Sequence, residues 1–293
     1  MSSFIYYITL PFIYLLSLLP FPLLYLLSDG LYLLLYYVIG YRKKVVSENL
    51  RNAFPEKTPA EIIILQKKFY RYFCDLLLET FKTLTISRAN MLKHSSIDPA
   101  AEKLFNDFEA EKKNLIIVMG HKGNWEWTGN TFSLACKHKL YVIYHPLANK
   151  YFDGLIYKMR RRFGSKLIPM KDTLRYIIKI KNELNAIGFI ADQSPNPDSA
   201  YWMNFLNQDT PVFMGTEKIA KMVKYPIVYA SVKRVSRGYY ILSAEVLQYP
   251  PYTGPEGDLT ELHTKKLEAD ILSQPETWLW THKRWKHKRV NIL

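Results

Sequence analysis

At 293 residues and 48% hydrophobic, the chain can bury one large core, as a single big domain or a domain with appendages. Its formal charge of +14 is uneven: residues 1–40 carry one charged side chain, Asp29, leaving about +15 on the rest, which implies an acidic partner such as nucleic acid, an anionic membrane, a phosphorylated substrate or an acidic protein. Two cysteines, Cys74 and Cys136, have neither ligand nor redox spacing, which argues against a disulfide scaffold or a zinc site and suits a reducing compartment.

Residues 4–27 are almost wholly apolar, with Pro11, Pro20 and Pro22 among them, and 31–39 resumes the run after Ser28-Asp29-Gly30. Roughly twenty apolar residues can span a bilayer, so 1–40 reads as a hydrophobic, helical membrane anchor. A basic n-region and a small-residue cleavage site are both missing, which sets a secretory signal aside. The prolines leave two geometries open, a single tilted span or a kinked hairpin within one leaflet, with a buried core hairpin as the alternative away from the membrane. Arg42, Lys43 and Lys44 follow directly, and the basic bias of cytoplasmic loops puts them, with the main domain of 41–293 behind them, on the cytoplasmic face.

Residues 41–92 read as a mostly helical lead-in. Thr58 is an N-cap for a helix opened by Pro59-Ala60-Glu61, and apolar positions recur at helical spacing up to Leu84. An α/β core is expected over 115–250. Leu115-Ile116-Ile117-Val118-Met119, broken by Gly120, has the pattern of a strand covered on both faces. His121 then lies at the strand's exit. Gly123 and Asn124 make a tight turn, and Trp125-Glu126-Trp127 begins a helix with Glu126 in the first turn, where a negative charge is favoured. Across that turn the Glu126 carboxylate can fold back onto the imidazole, and an imidazole held by a carboxylate can take a proton from a hydroxyl. A buried structural histidine in a strand-to-helix loop is the alternative.

Strands expected over 140–144, 166–169, 186–191, 226–235 and 239–247 alternate with helices over 152–162, 172–184 and 216–223. That alternation implies an α/β fold, a mixed and mostly parallel sheet flanked by helices on both faces, followed by a helical, basic and aromatic tail over 251–293. Sites in such sheets gather beyond the carboxyl ends of strands, where His121, His145 and Asp192 all stand. Asp192 reads either as a second acidic partner for His121 or as the N-cap of the turn Gln193-Ser194-Pro195. Arg160-Arg161-Arg162 closes a helix ahead of Gly164; helix dipole and solvent account for the triplet, and it can equally grip a phosphate bidentately.

His121-x4-Glu126 after a buried strand resembles the acyltransferase motif of the lysophospholipid acyltransferase superfamily, and its surroundings resemble the late lipid A acyltransferase branch. Tyr41-Arg42-Lys43-Lys44-Val45-Val46, leading to Asn49-Leu50 and Ala53-Phe54-Pro55-Glu56, is similar to that branch's N-terminal signature. Ala191-Asp192-Gln193 is similar to its aspartate motif, and the run from Pro275-Glu276-Thr277-Trp278 to Lys286 to its closing segment. The four stand in the family's order over nearly the whole chain.

The resemblance implies transfer of a fatty acyl chain from a thioester, usually acyl carrier protein with acyl-coenzyme A as alternative, to a lipid hydroxyl. The setting it implies is the cytoplasmic face of the bacterial inner membrane, with no cofactor and no metal. By position, His121 would be the general base and Glu126 would orient it. Asp192, Gln193 and Asn124 would support the imidazole or shape the acceptor site, and Arg160, Arg161 or Arg162 with Gly164 would bind donor phosphate. His145 departs from the arginine the family often places before the proline there, and 194–208 is long and aromatic. The acceptor is thus open among a lipid A precursor, another glycolipid and a lysophospholipid. Acidic carrier protein, anionic lipid and phosphorylated acceptor would all suit the basic charge. Lys283, Arg284, Lys286, Lys288 and Arg289, interleaved with Trp280 and Trp285, are expected at the membrane interface. The rivals are a nucleic-acid-binding protein, for which no module signature appears, and a non-catalytic membrane scaffold that would tolerate loss of His121 and Glu126.

Overall fold

The computed structural model describes residues 2–289. Helices α1 (Ser2–Leu18) and α2 (Phe21–Leu33) part at Leu19-Pro20, where proline's missing N–H ends one helix and its fixed φ starts the next. A π-helical turn, Leu34–Ile39, prolongs α2 and stops at Gly40, whose φ of 66° makes the left-handed cap. Next come α3 (Lys43–Ala53) and the long α4 (Pro59–Lys82), which opens on a full capping box: Glu61 N donates to Thr58 Oγ1, and Thr58 N to Glu61 Oε2. Helix α5 (Arg88–His94), strand β1 (Ser95–Ile97) and helix α6 (Pro99–Ala110) lead to the core.

The core alternates β2 (Leu115–Met119), α7 (Trp125–Ala135), β3 (Lys139–Tyr144), α8 (Lys150–Arg161), β4 (Lys166–Pro169), α9 (Thr173–Ile180) and β5 (Asn185–Ile190). Helix α9 stops short of the 184 expected because Asn185 Nδ2 donates to the carbonyls of Ile180 and Glu183 and bends the chain into β5. The aromatic stretch after Asp192 holds an unexpected antiparallel hairpin, β6 (Tyr201–Phe205) and β7 (Gln208–Val212), turned through Leu206 and Asn207, both at positive φ. Helix α10 (Gly215–Val223), strands β8 (Ile227–Ser236) and β9 (Tyr239–Gln248), and helix α11 (Asp258–Ser273) complete the regular elements.

Seven strands form one sheet in the order β1-β9-β8-β2-β5-β3-β4, parallel except for the β8/β9 pair. Both faces are covered, and alternation along the strands divides the core. Ile116, Val118 and Ile187 pack with Phe69 and Tyr72 of α4 and Ile271 of α11, while Leu115, Ile117 and Ala186 pack with Phe105 of α6 and Trp127 and Phe132 of α7.

The N-terminal helices lie along this domain. Helix α2 runs antiparallel to α4, with Ser28 Oγ donating to Asp75, Tyr25 Oη to Glu79 and Tyr36 Oη to Gln66. At the end of α1 the ammonium of Lys82 donates to the carbonyls of Ser17 and Leu19, and the start of α1 reaches α8, where Tyr6 packs edge-on to Phe152 and Ile13 joins Leu155 and Met159. Phe4, Phe12, Leu15, Leu26 and Val38 point outward, all more than 60% exposed.

The closing segment corrects an expectation. It is helical only in α11 and a short turn, Pro275–Thr277, and Trp278, Trp280 and Arg284 are buried rather than set at an interface. Hydrogen bonds draw the segment inward: Trp280 Nε1 donates to Pro275 O, and Asn49 Nδ2 donates to the carbonyls of Trp280 and His282. Trp278 and Trp285 also pack on Phe205 of the hairpin. Lys283, Lys286, Lys288 and Arg289 stay exposed.

Candidate active site

Strands β2 and β5 are parallel neighbours with Met119 opposite Ile190, so two residues past each end His121 and Asp192 arrive together. The Asp192 carboxylate takes three donors: His121 N at 2.7 Å and Trp278 Nε1 at 2.7 Å on Oδ2, and His121 Nδ1 at 2.6 Å on Oδ1. Gly120 permits this approach, since a Cβ there would stand 3.1 Å from Asp192 Oδ2 and 2.5 Å from a methyl of Leu267. Burial disfavours the ionised Asp192, but the His121 charge and the donated bonds outweigh it and bring its pKa down to about 2. A carboxylate accepts only, so in the neutral imidazole Nδ1 carries the proton and Nε2 holds a free lone pair. His121 lines a cleft of about 510 Å³, and Nε2 has no hydrogen-bond partner among the described residues.

Glu126 stands in the first turn of α7, as expected, but its partner is not the imidazole. Arg160, in the last turn of α8, clamps it bidentately, with Nε 2.9 Å from Oε2 and Nη2 2.5 Å from Oε1. Burial works against the charged carboxylate, yet Arg160, with a smaller share from His121, holds Glu126 below its ordinary pKa. The carboxylate on His121 is therefore that of Asp192, while Glu126 and Arg160 form an ion pair in the wall of the same cleft.

The remaining expected residues divide. Gln193 and His145 line the cleft, with apolar wall from Val142, Ile143, Ile156 and Ile190. Asn124 does not line it: its Oδ1 accepts from Trp127 N as the N-cap of α7, and its Nδ2 donates to buried Glu79 on α4. Of the arginine triplet only Arg160 reaches the site. Arg161 is exposed beside the Tyr157 hydroxyl, Arg162 Nη1 donates to Thr83 O at 2.5 Å, and Gly164 (φ 111°) serves the turn after α8. Among the described residues no group of three His, Cys, Asp or Glu side chains converges as a metal site. Trp278 escaped sequence reasoning as a site residue, because a tryptophan in a basic tail carries the pattern of an interface anchor.

Over residues 1–287 the chain matches the family model described as bacterial lipid A biosynthesis acyltransferase. The chain belongs to this family. It is 24% identical over 281 residues to the lipid A biosynthesis lauroyltransferase of Escherichia coli (strain K12), covering 94% of this chain and 89% of the relative. It is 22% identical over 278 residues to the lipid A biosynthesis palmitoleoyltransferase of the same organism, covering 93% and 88%. This acyltransferase thus shares its family over the span that contains the N-terminal apolar helices, the His121–Asp192 pair and most of the closing segment.

Proposed function

We propose that this acyltransferase transfers a fatty acyl chain from a thioester, acyl carrier protein before acyl-coenzyme A, to a hydroxyl of a lipid A precursor, with His121 as general base. The observation that carries the chemistry is the short His121 Nδ1–Asp192 bond, which fixes the tautomer and leaves the Nε2 lone pair on a cleft. The acceptor hydroxyl gives its proton to Nε2 and its oxygen attacks the thioester carbonyl. The tetrahedral intermediate collapses with C–S cleavage, and the departing thiolate takes the proton back from the imidazolium. Asp192 stabilises that imidazolium. Arg160, fixed by Glu126, is the cation at the cleft wall suited to the developing oxyanion or to a phosphate of either substrate. The lipid A relatives support the choice of acceptor, and the apolar wall suits an acyl chain.

The same reading puts the protein on the cytoplasmic face of the bacterial inner membrane. By length and composition Phe21–Ile39 is able to cross a bilayer. A crossing α2, however, would drag Asp75 and Glu79 of α4 with it through the Ser28 and Tyr25 bonds. Helices α1 and α2 are therefore assigned to one leaflet, apolar side outward.

The test is acyl transfer in detergent or liposomes, with acyl carrier protein and coenzyme A donors and with lipid A precursor, another glycolipid and lysophospholipid as separate acceptors. Acylation of the lipid A precursor alone, lost in folded His121→Ala, is the expected result. Transfer to another acceptor would change the substrate, and full activity in His121→Ala would refute the mechanism and favour a scaffold.

A further inference from the structure

Arg284 is the least explained charge in the molecule. It is 1% exposed, and among the described residues only Nη2 has a partner, Pro211 O at 2.7 Å, while Nε and Nη1 have none. A guanidinium keeps its charge in proteins, so this is a buried cation short of acceptors, a state a fold tolerates when an anion offsets it. Arg284 lines a small cavity of about 10 Å³, room for one water, and shares its wall with Asp192 and His263. His263 is buried with Nε2 unpartnered, and burial brings its pKa down to about 4, so it stands there neutral. The anion on this cavity is Asp192. Burial also pulls Arg284 down, to about 10, and the Asp192 charge opposes that shift.

Covalent connection and hydrogen bonds hold the two together. The segment that carries Arg284 also carries Trp278, whose indole donates to Asp192, and it is laced to the residue two beyond Asp192: Ser194 Oγ donates to Arg284 O at 2.7 Å and Ser194 N to His282 Nε2 at 3.3 Å. Asp192 stands between a base that lines the cleft and a cation that lines the cavity.

We propose that Arg284 is a positioning residue for the catalytic pair: through one water held in this cavity it fixes the Asp192 carboxylate, in charge and orientation, against His121. This rests on the reading of His121 as general base. The other ionisable groups facing the pair are Glu126 on α7, Asp153 and Arg160 on α8, Tyr144 at the end of β3 and His145 after it, Tyr229 on β8, His263 on α11, and His282 in the closing segment. None of those on the cavity wall is a cation, so replacing Arg284 removes the positive charge that Asp192 faces there.

The experiment is a histidine NMR pH titration of the full chain in detergent micelles, with the His121 signal assigned by its loss in His121→Ala. Loss of the cation makes the imidazolium more favourable, so Arg284→Met is expected to raise the His121 pKa by about one unit, with Arg284→Lys close to the unmodified protein. An unmoved His121 in folded Arg284→Met overturns the proposal. Should that variant not fold, a crystal structure of the unmodified protein decides. A water bridging Arg284 to Asp192 supports the proposal, and an empty cavity or a guanidinium turned from Asp192 overturns it. Neither measurement needs substrate, so the coupling of Arg284 to the His121–Asp192 pair is decided separately from acyl transfer, whose failure with every acceptor would sink the proposed function and leave that coupling a structural one.

Discussion

Asp192 and His121 have the arrangement in which removing the carboxylate changes which imidazole nitrogen carries the proton. Asp192→Asn keeps the shape but replaces an acceptor with a group that can donate to Nδ1, which turns Nε2 into the protonated nitrogen. Acyl transfer is expected to fall about 10³-fold with little change in KM, as read from steady-state kinetics of the folded variant. Glu126→Gln acts differently, because it leaves Arg160 as a cleft cation without its bidentate partner. Away from the cleft, His263 sets an acid limit on stability. Its folded pKa of about 4 lies below the ordinary 6.5, so the unfolded chain binds the proton first. Stability is therefore complete above about pH 6.5 and declines as pH falls to about 4, by a total on the order of 3 kcal/mol. His263→Leu should flatten that decline in chemical unfolding at pH 4.5 and 7; an equal decline in both proteins would show that another group is responsible.

Two glycines separate backbone necessity from chance at the level of elements. Gly123, between β2 and α7, has φ 58°, and a Cβ there would stand 2.6 Å from Val232 Cγ1 and 2.9 Å from its carbonyl oxygen. Gly123→Ala is expected to destabilise by at least about 2 kcal/mol, through both a disfavoured conformation and a clash with a neighbouring strand. Gly154 sits inside α8 with nothing within 4 Å of an added Cβ, so Gly154→Ala should stabilise by about 0.5–1 kcal/mol. Thermal melts of the two variants, shifted in opposite directions, check the pair. The same elements show what periodicity can carry. Strand β2 was legible because an unbroken apolar run ending in glycine suits a strand buried on both faces, and His121 followed from its exit. The hairpin β6–β7 was not, since Leu206-Asn207 lacks the glycine of a two-residue turn and Pro211 speaks against a strand. Which carboxylate meets His121 depends on β2–β5 register, and the partner of Glu126 on how α7 packs against α8; neither long-range fact is written in local spacing. Arg284 was hidden for the same reason, because a cation among five in a tail has the pattern of a solvated surface.

The N-terminal helices join an exposed apolar surface to the catalytic part of the whole molecule. Helix α8 presents Arg160 to the cleft at one end, and near its start packs on Tyr6 of α1. Both α1 and α2 are docked on the domain, and their apolar surface faces outward as one side of a rigid body. Phe12 and Leu15 are 63% and 61% exposed on that surface, and each apolar side chain of this size contributes roughly 1.5–3 kcal/mol when taken out of water. Phe12→Glu with Leu15→Glu is expected to lower partitioning onto phosphatidylglycerol-containing vesicles by more than about 10²-fold while leaving the melt unchanged, since neither side chain belongs to the packed core. Co-sedimentation of the full chain measures this, and undiminished binding would move the membrane contact elsewhere. A cysteine placed at Ser2, in a Cys136→Ser background, separates the two membrane geometries. If the helices lie in one leaflet, an impermeant thiol reagent labels it only from the side that carries the catalytic domain. If α2 crosses alone, labelling comes from the opposite side, and α1 could then no longer pack on α8.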